Sequence, residues 1–161
     1  MLPDIQIKDN FLTEKELEIM NSNLNKINYT AMKNESGNYG FRHDFKRSPE
    51  NEWFFEKIKK QFFPNDNLTV NQGSYHLRHN TKKVMSHEDD ENYNFLLYLQ
   101  GKELVYNGTG FYTKNQLHSY IGFVENRALF FDGKNNTHTD LQALGESSPR
   151  YTINIFYNYE Q

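Results

Sequence analysis

The triplet His87-Glu88-Asp89 sets an imidazole and a carboxylate two residues apart. In extended backbone, residues i and i+2 point to the same side. His87 and Asp89 can therefore bind one ion together, while Glu88 between them points away. A third donor must come from elsewhere, and His138 is the candidate, opening a segment near the end of the chain. Two imidazoles and one carboxylate on one face of an ion are the donor set of non-haem iron(II), and they leave the opposite coordination positions open. Alone, His-x-Asp is a short pattern that arises often by chance, and Glu88 to Glu91 also reads as a solvated acidic turn. What lifts the pattern above that reading is Arg150-Tyr151-Thr152, twelve residues beyond His138. On a strand Arg150 and Thr152 share a face. A guanidinium offers a two-pronged donor to a carboxylate, and a carboxylate buried in a pocket requires such a partner.

Other residues compete for these roles. Asp90 is adjacent to Asp89, but in a strand-like turn it points opposite to His87. Asp140 is the stronger rival, because His138-Thr139-Asp140 is itself a His-x-Asp; Arg150 with Thr152 downstream fits His138 as the distal ligand better. His76 and His79 are three apart, lie on opposite faces of a strand and read as ordinary sheet residues, with His79 sharing a face with Tyr75 and Leu77. His118 reads as a rim residue and His43 as part of a polar loop. Tyr98 either lines a pocket or packs. Trp53 and Phe54 read as core. Arg42, Arg47 and Arg78 read as scattered solubilising charge, with a cationic rim as the other possibility.

Two kinds of sequence must position these groups. Thr13 to Ile27 carries Leu17, Ile19, Met20, Leu24 and Ile27 near helical spacing, with Thr13 and Glu16 at capping-box positions. Ser48 to Phe63 reads as a second helix, capped by Ser48, with Pro49 in its first turn and Pro64 beyond its end. Between them, Thr30 to Arg47 reads as a loop. From Leu68 on, short strands are expected at Val70–His79, Val84–Ser86, Tyr93–Gln100, Glu103–Tyr106, Gln116–Val124, Ala128–Asp132, Thr137–Leu144 and Arg150–Tyr159. Turn signals such as Asn80-Thr81, Asn107-Gly108, Asp132-Gly133 and Gly145 to Pro149 separate them. Many short strands at close spacing predict a sandwich or jelly roll, with the preceding helices over one outer sheet face. In the last strand Tyr151, Ile153, Ile155 and Tyr157 form an apolar face, and Arg150, Thr152, Asn154 and Phe156 form one suited to a cavity. The expected architecture is a single domain over 1–161, mainly β, with a helical part over about 1–66 and a β core over about 67–161.

His87-Glu88-Asp89, then His138, then Arg150-Tyr151-Thr152, in that order, resembles the Fe(II)- and 2-oxoglutarate-dependent oxygenases of the double-stranded β-helix fold, a cupin-like jelly roll. Within them it looks like the compact prolyl-hydroxylase-like members. The resemblance covers roughly Leu68 to Tyr159. It implies iron(II) on His87, Asp89 and His138, and 2-oxoglutarate with its far carboxylate on Arg150, helped by Thr152 and by Tyr75. Oxygen is the co-reactant and ascorbate an accessory reductant. It also implies a dioxygenase that hydroxylates an unactivated carbon, with prolyl residues of a peptide or protein as the first substrate class. A free amino acid or small metabolite is the alternative. Asn107-Gly108-Thr109-Gly110-Phe111 loosely matches a Gly-rich stretch of many members. Asp89 disfavours the halogenase branch, which lacks the carboxylate.

Composition narrows the remaining classes. The 161 residues suit one domain, and aromatics reach 16%, with 13 Phe and 11 Tyr, so large rings are expected to build the core. A net charge of −3 and a pI near 6.1 do not fit a nucleic-acid binder, which disfavours nucleobase demethylation. The absence of Cys excludes disulfides and thiolate zinc sites. No signal peptide or membrane span is expected, and the protein reads as soluble and cytoplasmic. A non-catalytic jelly-roll binding module is the competing class, and it has no use for Arg150-x-Thr152 after a metal histidine. Because histidine ligands bind metal only when neutral, metal affinity is expected to fall below about pH 6.5.

Overall fold

Period-two alternation dominates the second half of the chain, and in the computed structural model, which describes residues 4–34, 37–79, 86–141 and 148–160, it becomes two antiparallel sheets. Among these residues the order is β1 (Ile5–Lys8), α1 (Glu14–Leu24), β2 (Thr30–Asn34), β3 (Gly37–Asp44), α2 (Glu52–Phe62), β4 (Leu68–Arg78), β5 (Tyr93–Gly101), a 3-10 turn (Val105–Asn107), β6 (Thr109–Thr113), β7 (Gln116–Ile121), β8 (Ala128–Asp132), β9 (Thr137–Asp140) and β10 (Arg150–Tyr159). The larger sheet runs β1-β8-β5-β10-β4-β3-β2 and the smaller β7-β6-β9. The expected mainly-β jelly roll is observed. None of the described helices is long and apolar enough to cross a membrane.

The helices pack on one face of the larger sheet. Thr13 and Glu16 close a reciprocal capping box at the start of α1, and Met20 and Leu24 turn inward. Helix α2 starts at Glu52, later than expected. Asn51 accepts a hydrogen bond from the Ser48 amide at 2.8 Å and makes a turn of the segment read as the first helical turn. Phe54, Phe55, Ile58 and Phe62 of α2 meet Phe95, Leu97, Ile153 and Ile155 of the sheet in one apolar cluster. Edge-to-face rings fill it, such as Phe54 on Phe95 at 5.8 Å. Burying each large side chain contributes roughly 1.5–3 kcal/mol.

Three expectations change. Thr30 to Arg47 is mostly not a loop: β2 and β3 form a hairpin that extends the sheet, with Phe41 to Asp44 pairing Leu77 to Ser74 of β4. The hairpin carries Gly37 and Gly40 at φ of 109° and 152°, backbone conformations open to glycine at little cost. Its polar sequence hid it, because a strand near a sheet edge has less apolar surface to cover. Likewise Ile5–Lys8 adds an edge strand on β8, so the first part of the chain is not simply helical. The strand expected at Glu103–Tyr106 is replaced by the 3-10 turn, and β6 follows immediately. Asn107-Gly108 therefore leads into a strand. Val84, Asn80-Thr81 and most of Gly145 to Pro149 lie outside the described residues.

Candidate metal centre and anion pocket

Between the sheets lies a cavity whose walls come from β4, β5, β6, β8, β9 and β10. At one end His87 and His138 form an isolated antiparallel bridge, the amide of each donating to the carbonyl of the other at 3.0 and 2.8 Å. Directly paired residues project to the same side of a sheet, so the rings approach to 4.7 Å between centroids. The Asp89 amide donates to Gly133 O at 3.0 Å, which brings the carboxylate beside them. Asp89 Oδ1 lies 3.6 Å from His87 Nε2, and Asp89 Oδ2 lies 3.4 Å from His138 Nε2. One ligand atom from each residue falls within 4.8 Å of the others, the only such group of ligating side chains among the described residues. Adjacent ligands about 2.1 Å from one ion sit about 3 Å apart, so small movements close these atoms on a metal.

Neighbouring groups orient this set. His138 Nδ1 lies 2.8 Å from Asn136 O and donates to it, which leaves the lone pair on Nε2 facing Asp89. Burial, then the nearby His87, lowers the His138 pKa to about 4, so it is neutral at ordinary pH. Burial raises the Asp89 carboxyl, while His87 and the Asn94 amide oppose that rise. Asn94 donates to Asp89 Oδ2 at 3.2 Å, and Asn94 Oδ1 is buried without a hydrogen-bond partner among the described residues. Gly133 is pressed against the same carboxylate: a Cβ there would stand 2.5 Å from Asp89 Oδ2. Glu88 points away and accepts from Thr137 Oγ1 at 3.0 Å.

At the other end of the cavity Arg150 is 5% exposed. Its Nη1 is 3.4 Å from Asp140 Oδ2, Nη2 donates to Thr109 Oγ1 at 3.3 Å, and the guanidinium lies over the Tyr98 ring at 5.2 Å. Its Nε is buried with no hydrogen-bond partner among the described residues. Thr152 and Asn154 line the same wall, joined by a 2.9 Å hydrogen bond. Asp140, the rival ligand, is held by Arg78 Nε at 3.2 Å and by Arg150, away from the two imidazoles. The parity of the strand explains this: His138 and Asp140 both project inward but two residues apart along β9.

Tyr75 does not line the cavity. On β4 it pairs with Ile153, sits in the helix-covered core and meets Phe45 at 5.1 Å. Its neighbours His76 and Arg78 face the cavity instead. His76 is thus a cavity residue rather than an ordinary sheet residue; its removal from water, with Arg78, Arg150, Arg42 and His87 nearby, lowers its pKa to about 3. Tyr98 packs behind the cavity wall, fully buried in the second apolar cluster, with its hydroxyl 2.7 Å from Thr109 Oγ1 and its ring under the Arg150 guanidinium. Of the two readings its sequence allowed, lining a pocket or packing, the structure shows packing. Asn94 and Gly133 had no signal at all, since each acts only through Asp89.

No protein-family model and no curated protein matches the sequence. The fold, however, matches solved structures over nearly its whole length. A prolyl hydroxylase from Trichoplax adhaerens, solved with a hypoxia inducible factor peptide fragment, aligns with a TM-score of 0.71 at 13% identity, over 97% of this chain and 84% of that one. The non-heme alpha ketoglutarate dependent epimerase SnoN of nogalamycin biosynthesis aligns with a TM-score of 0.73 at 10% identity, over 97% and 78%. HygX from Streptomyces hygroscopicus, solved with nickel, 2-oxoglutarate and hygromycin B, aligns with a TM-score of 0.68 at 12% identity, over 97% and 83%. The chain thus has the fold of the 2-oxoglutarate- and iron-dependent oxygenases, a scaffold that carries different reactions on different substrates.

Proposed function

We propose that this protein is an Fe(II)- and 2-oxoglutarate-dependent dioxygenase that hydroxylates an unactivated carbon. One observation carries the reading: His87, Asp89 and His138 converge at one end of a cavity whose other end holds a buried guanidinium with a spare donor.

The residues fit both groups. Two neutral imidazoles and a carboxylate are the donors iron(II) takes on one face, with the remaining positions open to the cavity. Arg150 Nε and the adjacent Thr109 hydroxyl suit the far carboxylate of 2-oxoglutarate. The charges agree as well. Among the described lining residues, Arg78 and Arg150 balance Asp89 and Asp140, so a divalent cation leaves the cavity suited to a dianion. Bound there, iron(II) with 2-oxoglutarate and O2 supplies the oxidising chemistry, giving succinate, carbon dioxide and a hydroxylated substrate carbon.

The chain's own contribution is positional. Asn136 O fixes the His138 tautomer, and Asn94 with Gly133 sets the rotation of the Asp89 carboxylate. Arg150 aligns the cosubstrate along the cavity, and Phe131 packs edge-on to His138 at 4.8 Å, excluding water from the inner side of the ring. His87, with a half-exposed side chain, marks the side open to substrate.

A prolyl residue of a peptide or protein is the first substrate class, supported by likeness in fold to the Trichoplax prolyl hydroxylase and to a prolyl-4-hydroxylase from Pseudomonas putida. A free amino acid or small metabolite is the second, supported by likeness to HygX and SnoN. The test is succinate release from 2-oxoglutarate by the iron(II)-loaded chain with ascorbate, alone and with panels of prolyl peptides and free amino acids. Stimulation by peptides alone supports the first class. Stimulation by free amino acids alone ends it, and no turnover under any condition ends the enzyme reading.

A further inference from the structure

Arg78 and Arg150 stand directly opposite each other on β4 and β10. Like charges in that position repel, and both side chains are largely buried, at 12% and 6% exposure. What holds them together is the Asp140 carboxylate, 2% exposed, whose Oδ2 lies 3.2 Å from Arg78 Nε and 3.4 Å from Arg150 Nη1. Arg78 is itself closely seated. Its Nη1 would stand 2.7 Å from a Cβ at Gly40, so the hairpin leaves room for a guanidinium where any other residue would intrude.

Among the described residues of this cluster, two arginines share the Asp140 carboxylate. If Asp140 had Arg150 as its only cation, the pair would be neutral and the pocket would offer an incoming carboxylate little attraction. With Arg78 also on Asp140, these three side chains carry a net positive charge, and Arg150, whose Nε is buried without a hydrogen-bond partner among the described residues, is the member that lines the cavity beside Thr152 and Asn154.

We propose that Arg78 is a positioning residue that neutralises Asp140, so that the charge of Arg150 remains available to the far carboxylate of the cosubstrate. This rests on the oxygenase reading and goes beyond it, since it assigns cosubstrate selectivity to an ion pair that never touches the metal. Asp140 is the restraining member. It limits the pocket to one extra negative charge and so favours a dicarboxylic 2-oxo acid.

The test is calorimetric titration of the full chain loaded with Mn(II), using 2-oxoglutarate and, as a probe with the same head and no far carboxylate, 2-oxobutanoate. Loss of one positive charge from this cluster is expected to weaken 2-oxoglutarate about tenfold in Arg78→Gln. The 2-oxobutanoate affinity should change less than about twofold, because that ligand does not reach the cluster. Arg78→Gln with Asp140→Asn should regain most of the loss, since Arg150 is then left with its full charge. A merely structural role for Arg78 would not be rescued by a second substitution. Asp140→Asn alone, which does not depend on the folding of any Arg78 variant, should bind 2-oxoglutarate at least as tightly as the unaltered chain. Unchanged 2-oxoglutarate affinity in Arg78→Gln, equal loss of both ligands, failure of the rescue, or weaker binding in Asp140→Asn would each overturn the proposal. An unaltered chain that binds Mn(II) but not 2-oxoglutarate would overturn the oxygenase reading first and this one with it.

Discussion

Strands β4 and β10 lie side by side, paired residue for residue from Arg150 to Phe156, yet they announce their faces very differently. In β10 the alternation separates the chemistry: Arg150, Thr152 and Asn154 line the cavity, while Ile153, Ile155 and Tyr157 are buried under the helices. In β4 the same division is blurred. Its core face carries Tyr75, and its cavity face carries His76 and Arg78, so an amphipathic ring stands beside a titratable one. Pairing settles the matter, because Thr152 faces His76 and Ile153 faces Tyr75. A strand inherits its orientation from its neighbour, and composition alone reveals it only where the two faces differ strongly.

The largest expected effects come from the cavity side. His138→Ala removes one of three ligands and should weaken Mn(II) or Co(II) binding by on the order of 100-fold or more, measured by calorimetry. Retention of metal affinity would break the assignment of this face. Arg150→Ala should cost about 2–5 kcal/mol in 2-oxoglutarate binding, the usual loss when a buried charge partner goes, with metal affinity kept. On the opposite face of the same strand, Ile153→Ala should lower folding stability by about 2–5 kcal/mol in urea titrations through the cavity it leaves in the core. Its metal affinity should be unaltered, and coupled loss of both would mean that the faces are not independent.

A smaller effect separates His76 from Tyr75. The His76 pKa falls from 6.5 to about 3 on folding. Between those values the unfolded chain holds a proton that the folded chain does not, so the metal-free protein should lose stability as pH falls through that window. His138, lowered to about 4, acts in the same direction, and Asp89, raised by burial, opposes it at the acid end. His76→Gln should flatten the dependence of urea midpoint on pH between 7 and 5; an unchanged slope would place His76 in water. The smallest effect belongs to Tyr75→Phe, which should leave 2-oxoglutarate affinity unaltered and cost about 1 kcal/mol of stability at most. A loss of cosubstrate affinity there would return Tyr75 to the cavity.

The order His87, Asp89, His138, Arg150 and the faces of β10 were legible because each depends on local spacing: two residues along a strand keep two side chains together. The first helix was legible from the Thr13 cap and the apolar spacing that follows it, and the end of the second from Pro64. The hairpin of β2 and β3 was not, since its polar sequence says nothing of the β4 edge that accepts it. Nor were Gly133 and Asn94 legible, whose roles exist only once Asp89 is folded against them.

From its sequence alone, then, this chain declares which donor groups it carries and in what order they come. Which groups meet was left to tertiary structure. Backbone pairing set His87 opposite His138, turned Tyr75 into the core and drew Asp140 between two arginines. The physical reason is that ligation and ion pairing act over a few ångströms, whereas the partners are separated by tens of residues, and only sheet register brings such distances together.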